Sequence, residues 1–203
     1  RGWRSPGGQS IIRTKDGRIM FANHTRTDFL PSDHSYLQIH EMFFTESAWP
    51  VLNQNEFDPE TEASSFFLTS RIPGDYDVVI TKRSPNVKAG SSFEDTTSDD
   101  ECSESDGWAT QSERITLEND GTVSGAYTGE WTFYKNDDGP KNTMSIKVSL
   151  DGMGTFEGFA LYATDFSRLD RTRRDTVTIS AICTEKNSSA NGEYLFGNKR
   201  NYK

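Results

Sequence analysis

The sequence is short of cysteine, histidine and positive charge, and it has no long apolar run. Two cysteines, Cys102 and Cys183, occur in 203 residues, too few for a disulfide framework to replace a hydrophobic core. The three histidines, His24, His34 and His40, lack zinc-site spacing. Lysine and arginine number 22 against 31 acidic residues, a formal charge of −9. Phosphate binding needs a basic surface, so nucleic acid is excluded as a partner. The one basic knot, Arg171, Arg173 and Arg174, sits beside Asp170 and Asp175 and reads as a turn. Apolar runs of only a few residues rule out a membrane-spanning helix, and no membrane partner is expected. Helix signals are nearly absent, and no Gly-x-Ser-x-Gly elbow marks a nucleophile.

Strand signals are abundant instead. Apolar residues alternate with polar ones in Met144, Ile146, Val148 and Leu150, and again in Val177, Ile179, Ala181 and Cys183. Val123, Tyr127, Trp131 and Phe133 continue the pattern, with Gly125 and Gly129 expected at inward positions of one curved strand. Asp16-Gly17, Asp120-Gly121, Asp138-Gly139, Asp151-Gly152 and Asn191-Gly192 each separate two such runs, as hairpin turns do. From Phe66 the expected strands are FFLTSRI, YDVVITKR, ERITLEN, TVSGAYTGEWTFYK, NTMSIKVSL, GTFEGFALYAT, TVTISAICTE and EYLFGNK. Antiparallel strands with one apolar face close most economically into a barrel.

Two regions interrupt the pattern. Asn53 to Ser65 is polar and acidic and reads as a linker. Ser84 to Ser112 contains EDTTSDDECSESDG, which cannot bury apolar surface and reads as a solvated insertion. Glu104, Asp106, Gly107 and Glu113 match part of a calcium-loop register, but Cys102 stands where its first aspartate belongs and flanking helices are missing.

The chain starts at Arg1 with no signal segment ahead of it, as a processed product or an expressed fragment does. Asn23-His24-Thr25 and Asn187-Ser188-Ser189 match the glycosylation acceptor pattern, and Asn187 lies in a polar turn. An extracellular setting is expected. There, Cys183 is either a small buried hydrophobe or the partner of Cys102 in a disulfide. Trp49, Trp108 and Trp131 could each stack on a sugar ring; core packing is the plainer reading of Trp49 and Trp131, whereas Trp108, at the end of the insertion, reads as exposed.

Several runs resemble a known family. GRIMFANHTR, QIHEMFFTESAWPVL, GDYDVV, LENDGTVSGAYTGEW and GEYLFGNK are similar, in order and spacing, to the C-terminal region of family 43 glycoside hydrolases, the endo-α-1,5-L-arabinanases with an added barrel above all. His24-Thr25-Arg26, Met42-Phe43, Trp49-Pro50-Val51 and Gly129-Glu130-Trp131 carry the match.

The resemblance implies an all-β, antiparallel chain, with a propeller-blade-like segment and linker over residues 1–62 and a small closed, lipocalin-like barrel over 63–203. It implies a secreted arabinan-degrading hydrolase of which this is the C-terminal portion, inactive alone because the catalytic carboxylates lie on preceding blades. Arabinan-like polysaccharide from plants or algae is the implied substrate, with His24 and Arg26 as binding candidates beside Trp108. The family's calcium-associated histidine is matched by Gly8 within Gly7-Gly8-Gln9-Ser10, so that metal site is in doubt. The alternative is a non-catalytic carbohydrate-binding or self-assembling module. An isolated blade exposes strand edges, which then pair with the missing blades or with a second chain.

Overall fold

The computed structural model describes residues 3–27, 35–57, 69–81, 112–134, 143–164 and 175–200. The described residues form twelve antiparallel strands in two sheets. The first is an open sheet in the order β1 (Trp3–Arg13), β2 (Ile19–Thr27), β3 (Tyr36–Phe44), β4 (Pro50–Leu52). The second is a closed barrel of β5 (Gly74–Ile80), β6 (Glu113–Leu117), β7 (Thr122–Gly125), β8 (Gly129–Tyr134), β9 (Thr143–Leu150), β10 (Gly154–Thr164), β11 (Asp175–Cys183) and β12 (Tyr194–Lys199). Every barrel strand pairs with its neighbours in sequence, and β12 returns to β5. That up-and-down closure leaves the barrel no free edge.

Eight barrel strands were expected, and the number arises from two offsetting differences. FFLTSRI supplies no described strand: Thr69–Arg71 is a 3-10 turn, and residues 66–68 fall outside the described residues. TVSGAYTGEWTFYK is not one strand but the β7–β8 hairpin. Gly125 and Gly129 do not fill inward positions of a continuous strand. Their φ angles of 108° and 155° turn the chain there. A β-carbon would also lie 2.5 Å from the Arg114 carbonyl oxygen at Gly125 and 1.9 Å from that of Ser149 at Gly129. β1 was not expected at all. It accommodates Pro6, Gly7 and Gly8 through irregular register against β2 between Arg4 and Ser10.

The barrel interior is filled with side chains. Tyr76, Ile115, Leu117, Ile146, Phe156, Ile179, Cys183 and Leu195 belong to one buried cluster. At one end Ile72 plugs the barrel, and the buried Tyr76 hydroxyl donates to its carbonyl at 2.6 Å. Burial raises the Tyr76 pKa far above the ordinary phenol range. Lys199 ties the same 3-10 turn down by donating to the carbonyls of Arg71 and Pro73. Desolvation there lowers its pKa.

Strands β10 and β11 are buried on both faces, which positions the open sheet. Phe156, Ala160 and Tyr162 of β10 point into the barrel, while Phe159 and Leu161 point out and pack with Phe43, Val51 and Ile182. The Phe43 and Phe159 rings lie 4.7 Å apart. On β11 the outward Thr178 donates to Asn53 Oδ1 at 3.4 Å, and the Ser180 hydroxyl accepts from the Gln54 amide at 3.4 Å. Residues 53–57, the start of the expected linker, are therefore not loose. Asn53 N–H and Phe57 N–H donate to the carbonyls of Glu41 and Ile39 along β3, and Asn55 Nδ2 donates to Asn198 on β12 at 3.3 Å. The expected boundary at 62/63 lies outside the described residues.

Candidate functional site

Strand β2 carries the candidates His24 and Arg26 at the centre of the open sheet. Register places His24 between Gly7 of β1 and Leu37 of β3. Its imidazole lies exposed over the two glycines: a β-carbon at Gly7 would stand 2.9 Å from His24 Cε1, and one at Gly8 2.9 Å from Nδ1. Sequence comparison alone marked Gly8 as a lost histidine. The structure adds that the His24 ring occupies the space a side chain there would need. A calcium ion does not fit these residues, because one imidazole is a poor ligand for a cation that takes six or more oxygens. No group of three or more His, Cys, Asp or Glu among the described residues could hold a metal. Glu113, from the partial calcium-loop register, opens β6 and is exposed, while Glu104, Asp106 and Gly107 lie outside the described residues.

The backbone of Arg26 lies opposite Arg4, and its side chain falls outside the described residues. So do Trp108, Cys102 and His34. Cys183 is buried on the inward face of β11, its thiol donating to Ser188 Oγ at 3.4 Å. Of the two acceptor asparagines, Asn187 is exposed in the β11–β12 loop. Asn23 is 7% exposed within β2 and donates to the His24 carbonyl at 3.3 Å.

Sequence reasoning missed two polar groups on opposite faces of β3, His40 and Glu41. His40 Nδ1 donates to the carbonyl of Asn53 at 2.9 Å. Carbonyls only accept, so the proton must sit on that nitrogen. One residue on, the Glu41 side chain is buried with its Oε1 3.7 Å from Arg18 NH1. That spacing attracts without forming a hydrogen bond, and Oε1 has no hydrogen-bond partner. Arg18 also reaches Asp16 at 2.9 Å and lies 5.6 Å from the centre of the Phe57 ring.

Burial raises the Glu41 pKa above 4.5, Arg18 offsets this in part, and Asp16 adds to it. A carboxyl with a raised folded-state pKa binds its proton more tightly folded than unfolded. Its contribution to stability is therefore full below pH 4.5 and is lost as pH rises through the raised value. Glu41→Gln should flatten that decline in urea midpoints measured from pH 4 to 8. Parallel wild-type and variant profiles would refute the assignment.

The open sheet leaves apolar side chains uncovered on both faces. Ile11, Tyr36 and Phe44 are 62%, 38% and 44% exposed on one face; Ile12, Leu37 and Ile39 are 54%, 69% and 38% exposed on the other. The strand register sets these two faces, because Ile11 lies opposite Phe21, and Ile12 opposite Met20. A hollow of about 430 Å³ separates the first face from the barrel, lined by Phe21, Met42, Phe44 and the barrel residues Tyr194 and Phe196. A second, of about 320 Å³, lies on the other face between Ile12, Met20, Arg18 and Phe57.

At the β3–β4 turn the expectation for Trp49 is reversed. It is 51% exposed, whereas Trp131 is core as expected, 7% exposed, with Nε1 donating to the Glu118 carbonyl at 2.8 Å. The same turn reaches the barrel. Glu46 meets Lys147 of β9 at 3.0 Å, and Lys147 meets Glu157 of β10 at 3.2 Å. Hydrogen bonds from Lys147 to Glu46, and then to Glu157, raise its pKa and hold it charged.

A closed, filled barrel with an open, apolar-faced sheet docked on two of its strands defines an all-β unit. Residues 55–192 match the family model GH43_C, the C-terminal lipocalin-like domain, and the chain belongs to that family. No curated protein matches the chain. Among solved structures it is similar to the glycoside hydrolase family 43 YxiA protein from Bacillus licheniformis, at 21% identity and a TM-score of 0.66, covering 99% of this chain and 36% of that one. It is similar also to endo-1,5-alpha-L-arabinanase from Thermotoga petrophila, at 20% identity and a TM-score of 0.62, with the same coverage. At these identities the likeness is one of fold. The chain spans about a third of the length of the structures it matches.

Proposed function

We propose that this chain is the C-terminal portion of a secreted arabinan-degrading hydrolase, in which the barrel supports a catalytic propeller and the open sheet is its last blade. The observation that carries this reading is the sheet with aliphatic side chains exposed on both faces. A free-standing sheet packs one face on a core and gives the other to solvent. A sheet apolar on both faces is a layer between two others, which is the position of a propeller blade. The docking of β10 and β11 on this sheet would hold it from one end. Hydrolysis requires an acid and a base set several ångströms apart on the substrate. In this reading both come from blades preceding the sheet, and the chain alone is inactive.

Incubation with linear arabinan provides the test. No new reducing ends should form with this chain, and they should form with a polypeptide that also contains the preceding blades. Hydrolysis by the chain alone would refute the division of labour. A second reading, a self-assembling module, draws on β1 and β4, which are the open edges of the sheet. Sedimentation of the chain as paired species, together with no activity in the longer polypeptide, would favour it.

A further inference from the structure

The β3–β4 turn displays an aromatic ring at a backbone cost, and the same turn carries Glu46 and Ser47 to charged groups on the barrel. Ala48 has φ 61°, the one described non-glycine residue in the left-handed region. Such a conformation is strained for a residue other than glycine and persists only where its surroundings enforce it. Here they do. The Thr45 and Ala48 amides donate to the carbonyls of Trp49 and Thr45, both at 2.9 Å. Thr45 Oγ1 accepts from the Trp49 amide at 3.1 Å and bonds to the Ser47 hydroxyl at 2.9 Å. The turn is thus rigid, and its Trp49 is half-exposed rather than packed in a core.

The tip of this turn lies on the outer wall of the barrel. Glu46 and Glu157 share Lys147, and Ser47 donates to Glu157 at 3.4 Å. Lys147 Nζ also stands 5.6 Å from the centre of the Tyr134 ring. These groups retain open faces: the side chains of Glu46, Lys147 and Glu157 are 61%, 32% and 21% exposed.

The geometry points to a saccharide-binding subsite, in which Trp49 stacks on a sugar ring and Glu46, Lys147 and Glu157 hydrogen-bond its hydroxyls. The chemistry separates this ligand from a protein partner. Protein interfaces enrich aromatics at their centres but deplete lysine and glutamate there. The aliphatic faces of the open sheet fit that description, and the Trp49 turn does not. A sugar needs both an apolar face for its C–H groups and paired donors and acceptors for its hydroxyls. Carboxylates held by one ammonium provide acceptors and a donor in a fixed arrangement. The choice of an arabinan chain as the ligand rests on the reading of this protein as part of an arabinan-degrading enzyme; the subsite itself rests on the turn.

Native electrophoresis of the purified chain through gels containing arabinan, and through gels containing a glucan, tests the subsite. The chain should be retarded by arabinan. Trp49→Ala should weaken that retardation about tenfold, equivalent to 1.4 kcal/mol, and Trp49→Tyr should restore most of it. Because Trp49 is exposed, the thermal melt of each variant should match that of the wild type. Equal retardation of wild type and Trp49→Ala overturns the subsite, as does no retardation in either gel. Retardation by the glucan alone, lost in Trp49→Ala, keeps the subsite and overturns only the arabinan ligand. Activity of the longer polypeptide is read separately, so the two ideas fail independently.

Discussion

Gly158→Ala should lower the melting temperature of this protein by roughly 6–12 °C, the shift expected for about 3 kcal/mol in a chain of this size. Gly158 sits in the middle of β10, opposite Ile146 of β9 and Ala181 of β11. Its inward neighbours on the strand are Phe156 and Ala160, so a methyl group would project into the filled barrel. That methyl would lie 2.0 Å from the Ser180 carbonyl oxygen and 2.4 Å from the Ala181 α-carbon. Both are backbone atoms inside a continuous ladder, and no side-chain rotation relieves the clash. Relief requires parting β10 from β11, the two strands that also carry the open sheet. Gly125 and Gly129 are equally crowded, but their positive φ angles would add backbone strain to any substitution. Gly158 isolates the steric effect. Circular dichroism melts of wild type and variant check it, and an unchanged melt would show that the strands do not approach so closely.

Phe159→Ala should release the open sheet while leaving the barrel folded. Truncating a buried phenylalanine costs about 3–5 kcal/mol, depending on how far the site collapses. Phe159 is 2% exposed, yet it points away from the barrel interior, onto Phe43 and Val51. Its loss therefore falls on the contact between the two sheets. The other ties between sheet and barrel among the described residues include polar contacts at Glu46, Asn53 and Asn55, which do not replace the buried ring. Hydrogen exchange should show amides of β2 and β3 losing protection while those of β6 and β9 keep theirs. Phe156→Ala is the comparison: the same truncation three residues earlier, on the inward face, should expose the barrel amides instead. Equal loss in both sheets for Phe159→Ala would mean that sheet and barrel unfold as one unit.

The sequence carried the hairpins in local chemistry. Asp16-Gly17, Asp120-Gly121, Asp151-Gly152 and Asn191-Gly192 each lie between consecutive antiparallel strands, because a tight turn needs a residue that tolerates positive φ wherever it occurs. The alternation in β9 and β11 was equally legible, since one face of each fills the barrel. Strand β1 was not. Its Pro6, Gly7 and Gly8 argue against a strand, and only pairing with β2 across irregular register makes it one.

The candidate sites divide the same way. His24 stood out by resemblance, but its placement over Gly7 and Gly8 depends on the register of β1. Glu41 carries no local signal in the sequence. Its burial beside Arg18, which also lies over the Phe57 ring, depends on residues from outside β3. Trp49 looked like a core residue because it adjoins apolar neighbours. The left-handed turn at Ala48 and the contact of Glu46 with Lys147, 101 residues away, set its surroundings instead.

By itself, then, the sequence determined an antiparallel all-β chain, its turns, its barrel strands in outline and its likeness to family 43 hydrolases. These depend on side-chain period and on residues a few positions apart. Only the tertiary structure decided that β12 closes on β5, that β10 and β11 are buried on both faces, and which of Trp49 and Trp131 meets solvent. Those outcomes depend on contacts between residues far apart in the chain, and no local pattern records which distant strand will supply the other half of a contact.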